Sequence, residues 1–293
     1  MKTVTAERLD AAERFVWLNG RLLDRFRFTH AFRGADADPV DRALRAYQNA
    51  DGGFGNAIEP DLRGASSQPR GLDVALEILD EVGAMNDPMV ISGLNWAQGA
   101  SSPDGGLPFV LPTVRNDPRA PWWATDDNPP GGIVPTGNIA GLLHKHDIKH
   151  PWLGPASEFC WRAIESIRET SAYEVQYAAR FLDYAPDRSR ALEQARRIGR
   201  LAVEQKAVAL DPAAAGEVHT PLDFAPFPSS VARSWFSDEV VDAHLDALVD
   251  AQRADGGWCF NWSVWTPVVE PEWRGAVTVH YLLRLRAYGR LVL

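Results

Sequence analysis

Apolar residues recur every three to four positions along most of the chain and strand-like alternation is scarce, a pattern that predicts helices almost throughout. Three stretches share one plan: DPVDRALRAYQNADGGFG (Asp38 to Gly55), DPMVISGLNWAQGASSPDGGLPF (Asp87 to Phe109) and SDEVVDAHLDALVDAQRADGGWCF (Ser237 to Phe260). Each opens on helix-start residues. Asp38 and Asp87 are candidate N-caps before Pro39 and Pro88, and Ser237 precedes Asp238 and Glu239. Each continues as an amphipathic helix to a glutamine (Gln48, Gln98, Gln252) and closes on Asp-Gly-Gly before a large apolar residue, Phe54, Leu107 or Trp258. The glycines supply the backbone freedom that a tight turn after a helix needs.

A more apolar helix is expected after each of these turns: GLDVALEILDEVG from Gly71, PTGNIAGLLHKH from Pro135 and RGAVTVHYLLRLRAYG from Arg274. The alternation of amphipathic and apolar helices predicts two layers, with the apolar helices inside. Asp51 and Asp104 are 53 residues apart and Asp104 and Asp255 are 151 apart, close to three times fifty, so degenerate copies are expected between the second and third repeats. EFCWRAIESIRE, TSAYEVQYAARFLDYAP and DRSRALEQARRIGRLAVEQ have the helical period to fill that interval. With one N-terminal helix around Arg8 to Phe28, ten to twelve helices result. The expected fold is therefore all-α, an α/α toroid of five to six helical hairpins forming one domain over residues 1–293. A solenoid of stacked helix pairs is the alternative.

Gln, a short spacer, Asp-Gly-Gly and an aromatic residue resemble the QW repeats of squalene cyclases and the Gly-Gly loops of protein prenyltransferase β subunits. The resemblance implies the terpenoid cyclase and prenyltransferase superfamily. It also implies that the glutamine bridges helix ends while the aromatic packs on the next turn, roles that would fall on Gln48 with Phe54, Gln98 with Leu107, and Gln252 with Trp258. Leu107 departs from the aromatic pattern.

Composition narrows the chemistry. Thirty Lys and Arg against 39 Asp and Glu leave a net charge of −9, which argues against nucleic acid as a partner. Cys160 and Cys259 form neither a disulfide framework nor a metal spacing. The start MKTVTAERLD has no signal-peptide core and no apolar run is long enough to span a membrane, so a cytoplasmic location is expected. No cofactor and no metal are expected. The anticipated partner is a small, apolar substrate.

Candidate chemistry lies in a second repeat. Ile58-Glu59-Pro60-Asp61-Leu62-Arg63-Gly64-Ala65 and Val269-Glu270-Pro271-Glu272-Trp273-Arg274-Gly275-Ala276 share Glu, Pro, Arg, Gly and Ala. Proline disfavours helical geometry at the residue before it, so each segment is expected to be extended. Glu59 with Asp61, and Glu270 with Glu272, would then share a face and could hold a proton between them. The alternative is a structural clasp, with the acids on a helix N-terminus and Arg63 and Arg274 pairing with them.

Asp126-Asp127 in PWWATDDNPPGG partly resembles the Asp-x-Asp-Asp acid of class II terpene cyclases, with Ala124 in place of the first aspartate. The Asp-Asp-x-x-Asp diphosphate motif fails at Pro130, and the Asp-x-Cys zinc pair of prenyltransferases is missing despite Cys259 and His280. His144, His146 and His150 cannot converge from one helix.

Eleven tryptophans suit an aromatic-lined cavity, with Trp122, Trp123 and Trp273 as its wall. Such a wall stabilises a carbocation or stacks on a sugar. The leading expectation, implied by the resemblance, is an isoprenoid-handling protein that acts by acid-initiated cyclisation or by binding the chain, with Arg63 and Arg274 joining the carboxylates as substrate-binding groups. A carbohydrate-active α/α-barrel enzyme and a non-catalytic ligand-binding scaffold are the alternatives.

Overall fold

The computed structural model describes residues 1–292, and among them every regular element is helical. The helices are α1 (Ala6–Asn19), α2 (Leu22–Arg33), α3 (Asp38–Arg45), α4 (Pro69–Glu81), α5 (Pro88–Ala100) and α6 (Ile133–Lys145). They continue with α7 (Leu153–Ser166), α8 (Ala172–Tyr184), α9 (Arg188–Glu204), the short α10 (Pro221–Phe224), α11 (Asp238–Asp250) and α12 (Val269–Ala287). Strand pairing is confined to isolated bridges such as Gln48 with Phe54 and Val4 with Leu291. The chain divides into two compact units, one over residues 41–201 and one joining residues 1–40 to the chain from Ala202 onward.

In the 41–201 unit, α6 packs against α4, α7 and α8. All its residues from Ile133 to Leu143 are buried, as its apolar sequence requires. Asp87 caps α5 by accepting from Met89 N at 2.7 Å, with Pro88 in the first turn. The other unit packs α12 against α1, α2 and α11. The single helix expected around Arg8 to Phe28 is two helices, because the chain breaks at Gly20. Gly20 and Gly275 meet so closely that a Cβ on Gly275 would lie 2.7 Å from Gly20 Cα.

The three Asp-Gly-Gly turns are built alike. The aspartate side chain accepts from the second glycine N–H, from Gly53 at 2.9 Å, Gly106 at 3.1 Å and Gly257 at 3.1 Å. The first glycine is left-handed in each, with φ of 91°, 92° and 94° at Gly52, Gly105 and Gly256. Gln48 Nε2 donates to Gly52 O and to Met89 O in the first turn of α5, and Gln252 Nε2 donates to Gly256 O and to Arg8 O in α1. Each thus ties its own turn to another helix of its unit, α5 for Gln48 and α1 for Gln252. Gln98 does not take part: it is an exposed residue of α5, six positions before Asp104 rather than three. Ser101 stands at the equivalent position, and Trp152 Nε1 donates to it at 2.8 Å. Phe54, Leu107 and Trp258 are fully buried, so the apolar role survives the loss of the ring.

Candidate functional site

The two Glu-Pro repeats adopt different structures. Around Glu59, Pro60 enters a turn closed by Leu62 N donating to Glu59 O at 2.9 Å, so the segment is not extended. Glu59 and Asp61 are both buried. Arg63 donates to Pro60 O at 3.3 Å. Around Glu270 the chain is already helical, because Pro271 sits in the first turn of α12, where it costs no hydrogen bond. Residues two apart on a helix diverge, so Glu270 (exposed) and Glu272 (half-buried) form no shared pocket of the kind expected. They instead lie at the positive end of the helix dipole.

Arg274 is a structural tie. It donates to Trp258 O at 3.2 Å and Asp255 Oδ1 at 2.9 Å, and lies 4.4 Å from the Phe15 ring centroid. Its hydrogen bond holds the Asp255 carboxyl below the usual range. Trp273 packs edge-on against Trp262 at 4.9 Å between centroids. Asp126 and Asp127 are exposed, and Asp127 pairs with Arg115. Trp123 is buried and stacked on Phe109, whereas Trp122 is exposed.

Among the carboxylates expected from sequence, Glu59 joins a larger constellation. Its Oε2 accepts from Arg70 Nε at 3.1 Å. Arg70 Nη1 reaches Asp73 Oδ2 and, at 2.6 Å, the Tyr177 hydroxyl, which itself donates to Asp73 Oδ2 at 2.9 Å. Asn138 Nδ2 donates to Asp73 Oδ1 at 2.7 Å and Glu77 Oε1 at 3.0 Å, and Arg180 pairs with Glu77. Three helices supply these groups: α4 gives Arg70, Asp73 and Glu77 at one-turn spacing, α6 gives Asn138, and α8 gives Tyr177 and Arg180.

Charge explains what the cluster can do. Glu59, Asp73 and Glu77 lie with the Arg70 and Arg180 guanidiniums in one hydrogen-bonded cluster. Asp73 is fully buried, and desolvation together with the neighbouring Glu77 raises its pKa to about 6 against the pull of Arg70 and Arg180. Burial also pushes the Tyr177 hydroxyl well up, so it remains a donor. Glu77, Arg180 and Arg70 reach solvent, with side chains 30%, 22% and 19% exposed. The set therefore has a buried carboxyl at its centre and charged groups at its solvent-facing edge.

Sequence reasoning passed over Arg70, Asp73, Glu77, Asn138, Tyr177 and Arg180. The available signal was the presence of Asp73 and Glu77, four apart, inside an otherwise apolar inner helix.

The second unit holds a smaller set. Arg284, buried on α12, donates to Asp223 Oδ1 at 2.9 Å and to His280 Nε2 at 3.1 Å, which leaves the His280 proton on Nδ1. Burial works to raise the Asp223 carboxyl, but the Arg284 charge and the Thr220 hydrogen bonds outweigh it and hold it low. Among the described residues no group of three or more His, Cys, Asp or Glu side chains could hold a metal. His144, His146 and His150 turn to different partners, Ser157, Asp80 and Asn95. No described helix is long and apolar enough to cross a membrane.

No protein-family model matches the chain, and no curated protein matches it. Among solved structures it is similar to a protein from Actinoplanes, with a TM-score of 0.63 and 14% identity over 97% of this chain and 99% of that one. At that identity the likeness is one of fold.

Proposed function

We propose that the 41–201 unit is an acid–base catalytic unit acting on a polar, hydroxyl-bearing substrate, a carbohydrate first of all. The observation that carries this reading is the Asp73–Glu77 pair bridged by one Asn138 nitrogen. The bridge keeps the two carboxylates within about 6 Å of each other, near the separations at which paired carboxyls cleave glycosidic bonds. Asp73 is the buried member, its carboxyl pushed up to about 6, and Glu77 is the member that meets solvent. Arg70 and Arg180 would orient hydroxyl groups by donating to them. An apolar chain would desolvate these ion pairs without offering hydrogen bonds in return, which disfavours it beside them.

The second reading is acid-initiated chemistry on an isoprenoid. It is favoured by the aromatic group Phe260, Trp262 and Trp273 of the other unit, whose ring centroids lie 4.5 to 6.3 Å apart. Incubation of the purified protein with oligosaccharides and, separately, with prenyl diphosphates and squalene-like hydrocarbons tests both. The carbohydrate reading expects sugar products that disappear in Asp73→Asn and Glu77→Gln. Products from the isoprenoids alone would replace it with the second reading, and no product from either panel would leave a ligand-binding scaffold.

A further inference from the structure

His144, in the last turn of α6, faces a serine. Its Nε2 lies 2.9 Å from the Ser157 hydroxyl oxygen near the start of α7, and both side chains are half-buried where the two helices pack. With the imidazole proton on Nδ1, Nε2 accepts from the serine O–H, the hydrogen bond by which a base activates a nucleophile. Burial holds the His144 imidazole below its ordinary range, and the charge of Lys149 works in the same direction. The ring is therefore neutral at neutral pH, the form that can take a proton from Ser157.

Aromatic rings surround the pair. Phe181, fully buried on α8, lies 6.0 Å from the His144 ring and 5.1 Å from the Trp161 ring between centroids, edge-on in both cases. Trp161 follows Ser157 by four residues on α7, so the two share a helix face. The indole therefore stands beside the hydroxyl, and it is half-buried. The Arg190 guanidinium, 4.2 Å from the Trp161 ring centroid, is paired with Glu165, and Lys149 is paired with Asp147. With the nearby cations neutralised and a large ring next to Ser157, the surroundings suit an uncharged, partly apolar substrate.

We infer that Ser157 and His144 are a nucleophile and base for acyl transfer from a neutral carboxylic ester, with Trp161 beside the reacting group. Ser157 Oγ bonds to the ester carbonyl carbon as its proton passes to His144 Nε2. The carbon–oxygen bond to the leaving alcohol then breaks, and that oxygen takes the proton from His144. Water attacks the acyl-serine, giving one proton to the same nitrogen, and the serine oxygen leaves with it. The net change is ester and water to acid and alcohol. Among the described residues no carboxylate meets His144 Nδ1, so the pair is a dyad and activated esters are its expected substrates. Neither residue belongs to the hydrogen-bonded cluster around Asp73.

Diisopropyl fluorophosphate tests the pair, because it modifies activated serines and spares ordinary ones. Ser157 Oγ would bond to phosphorus and the P–F bond would break, the serine proton passing to His144 as fluoride leaves. Trypsin then releases residues 150–162, in which Ser157 is the one serine. An adduct on Ser157 is expected in the full chain, forming about a hundredfold or more slowly in His144→Gln. Hydrolysis of p-nitrophenyl butyrate should be lost in Ser157→Ala. Absence of the adduct overturns the assignment, as does an unchanged labelling rate in a folded His144→Gln or unchanged hydrolysis in Ser157→Ala. The wild type and Ser157→Ala decide the matter even if His144→Gln does not fold.

Discussion

The Tyr177 hydroxyl donates to Asp73 Oδ2 at 2.9 Å, joining α8 to α4 across 104 residues of sequence. The same hydroxyl accepts from Arg70, so it fills both of its roles inside the helical core. Removal of either partner has a different cost. Tyr177→Phe deletes one hydroxyl and should destabilise the protein by about 1–3 kcal/mol. Asp73→Ala leaves the Arg70 guanidinium facing the other acids without its nearest partner. The loss for a buried pair is about 3–5 kcal/mol, and the partial exposure of Arg70 places this one at the lower end. Urea denaturation of the two variants should rank them in that order.

The raised Asp73 carboxyl sets a pH dependence of definite sign. In the folded protein it keeps its proton up to about pH 6, against an ordinary value of 3.8. Between those values the native state binds more protons than the unfolded one, so this group's contribution falls as pH rises through that window. Half-buried His219 and buried His244, both lowered by desolvation, act in the opposite direction as pH falls. The comparison with Asp73→Asn removes their effect. The stability of the wild type relative to that variant should decline from pH 4 to pH 6 and level off above, measured by chemical denaturation at each pH.

Gln252 and Gln98 occupy superficially similar places in sequence but not in space. Gln252→Ala removes two donors, to Arg8 O and Gly256 O, and the acceptor of Arg8 Nε. A loss of about 1–3 kcal/mol is expected. Gln98→Ala changes an exposed helix residue and should stay within about 0.5 kcal/mol. Equal melting temperatures for the two variants would contradict the assignment of Ser101 to the second repeat.

Gly256 is left-handed at φ 94°, and a Cβ there would lie 2.2 Å from Ala11 O on α1. Gly256→Ala should therefore lower stability well beyond the usual surface range of about 0.5 kcal/mol. Gly99, in α5 with open space around it, is the control: Gly99→Ala should be neutral or add up to about 1 kcal/mol. Thermal melts of both variants check the pair.

Cys259 is exposed, while Cys160 is buried on α7 and desolvation pushes its thiol far above the ordinary range. A thiol reagent should modify one cysteine per native chain and two after denaturation, and mass spectrometry should find the first label on Cys259. Rapid native labelling of both would contradict the packing around α7.

Local rules were sufficient for the elements. Apolar spacing, the Asp87-Pro88 start and the Asp-Gly-Gly stops depend on residues within one or two turns of each other, so the all-α class and the helices α4 to α9 could be read from the chain alone. The same rules failed where the answer depended on a distant partner. Gly20 divides the first helix because Gly275 must approach it, and the Glu59 and Glu270 motifs part company because Pro60 enters a turn while Pro271 opens a helix. The acid cluster shows the limit most clearly. Asp73 in sequence is one charge in an apolar helix, and its raised pKa exists only because folding removes its water and brings Glu77, Asn138 and Tyr177 around it. The strength of a charge depends on its surroundings, and for Asp73 the packing of α6 against both α4 and α8 supplies them.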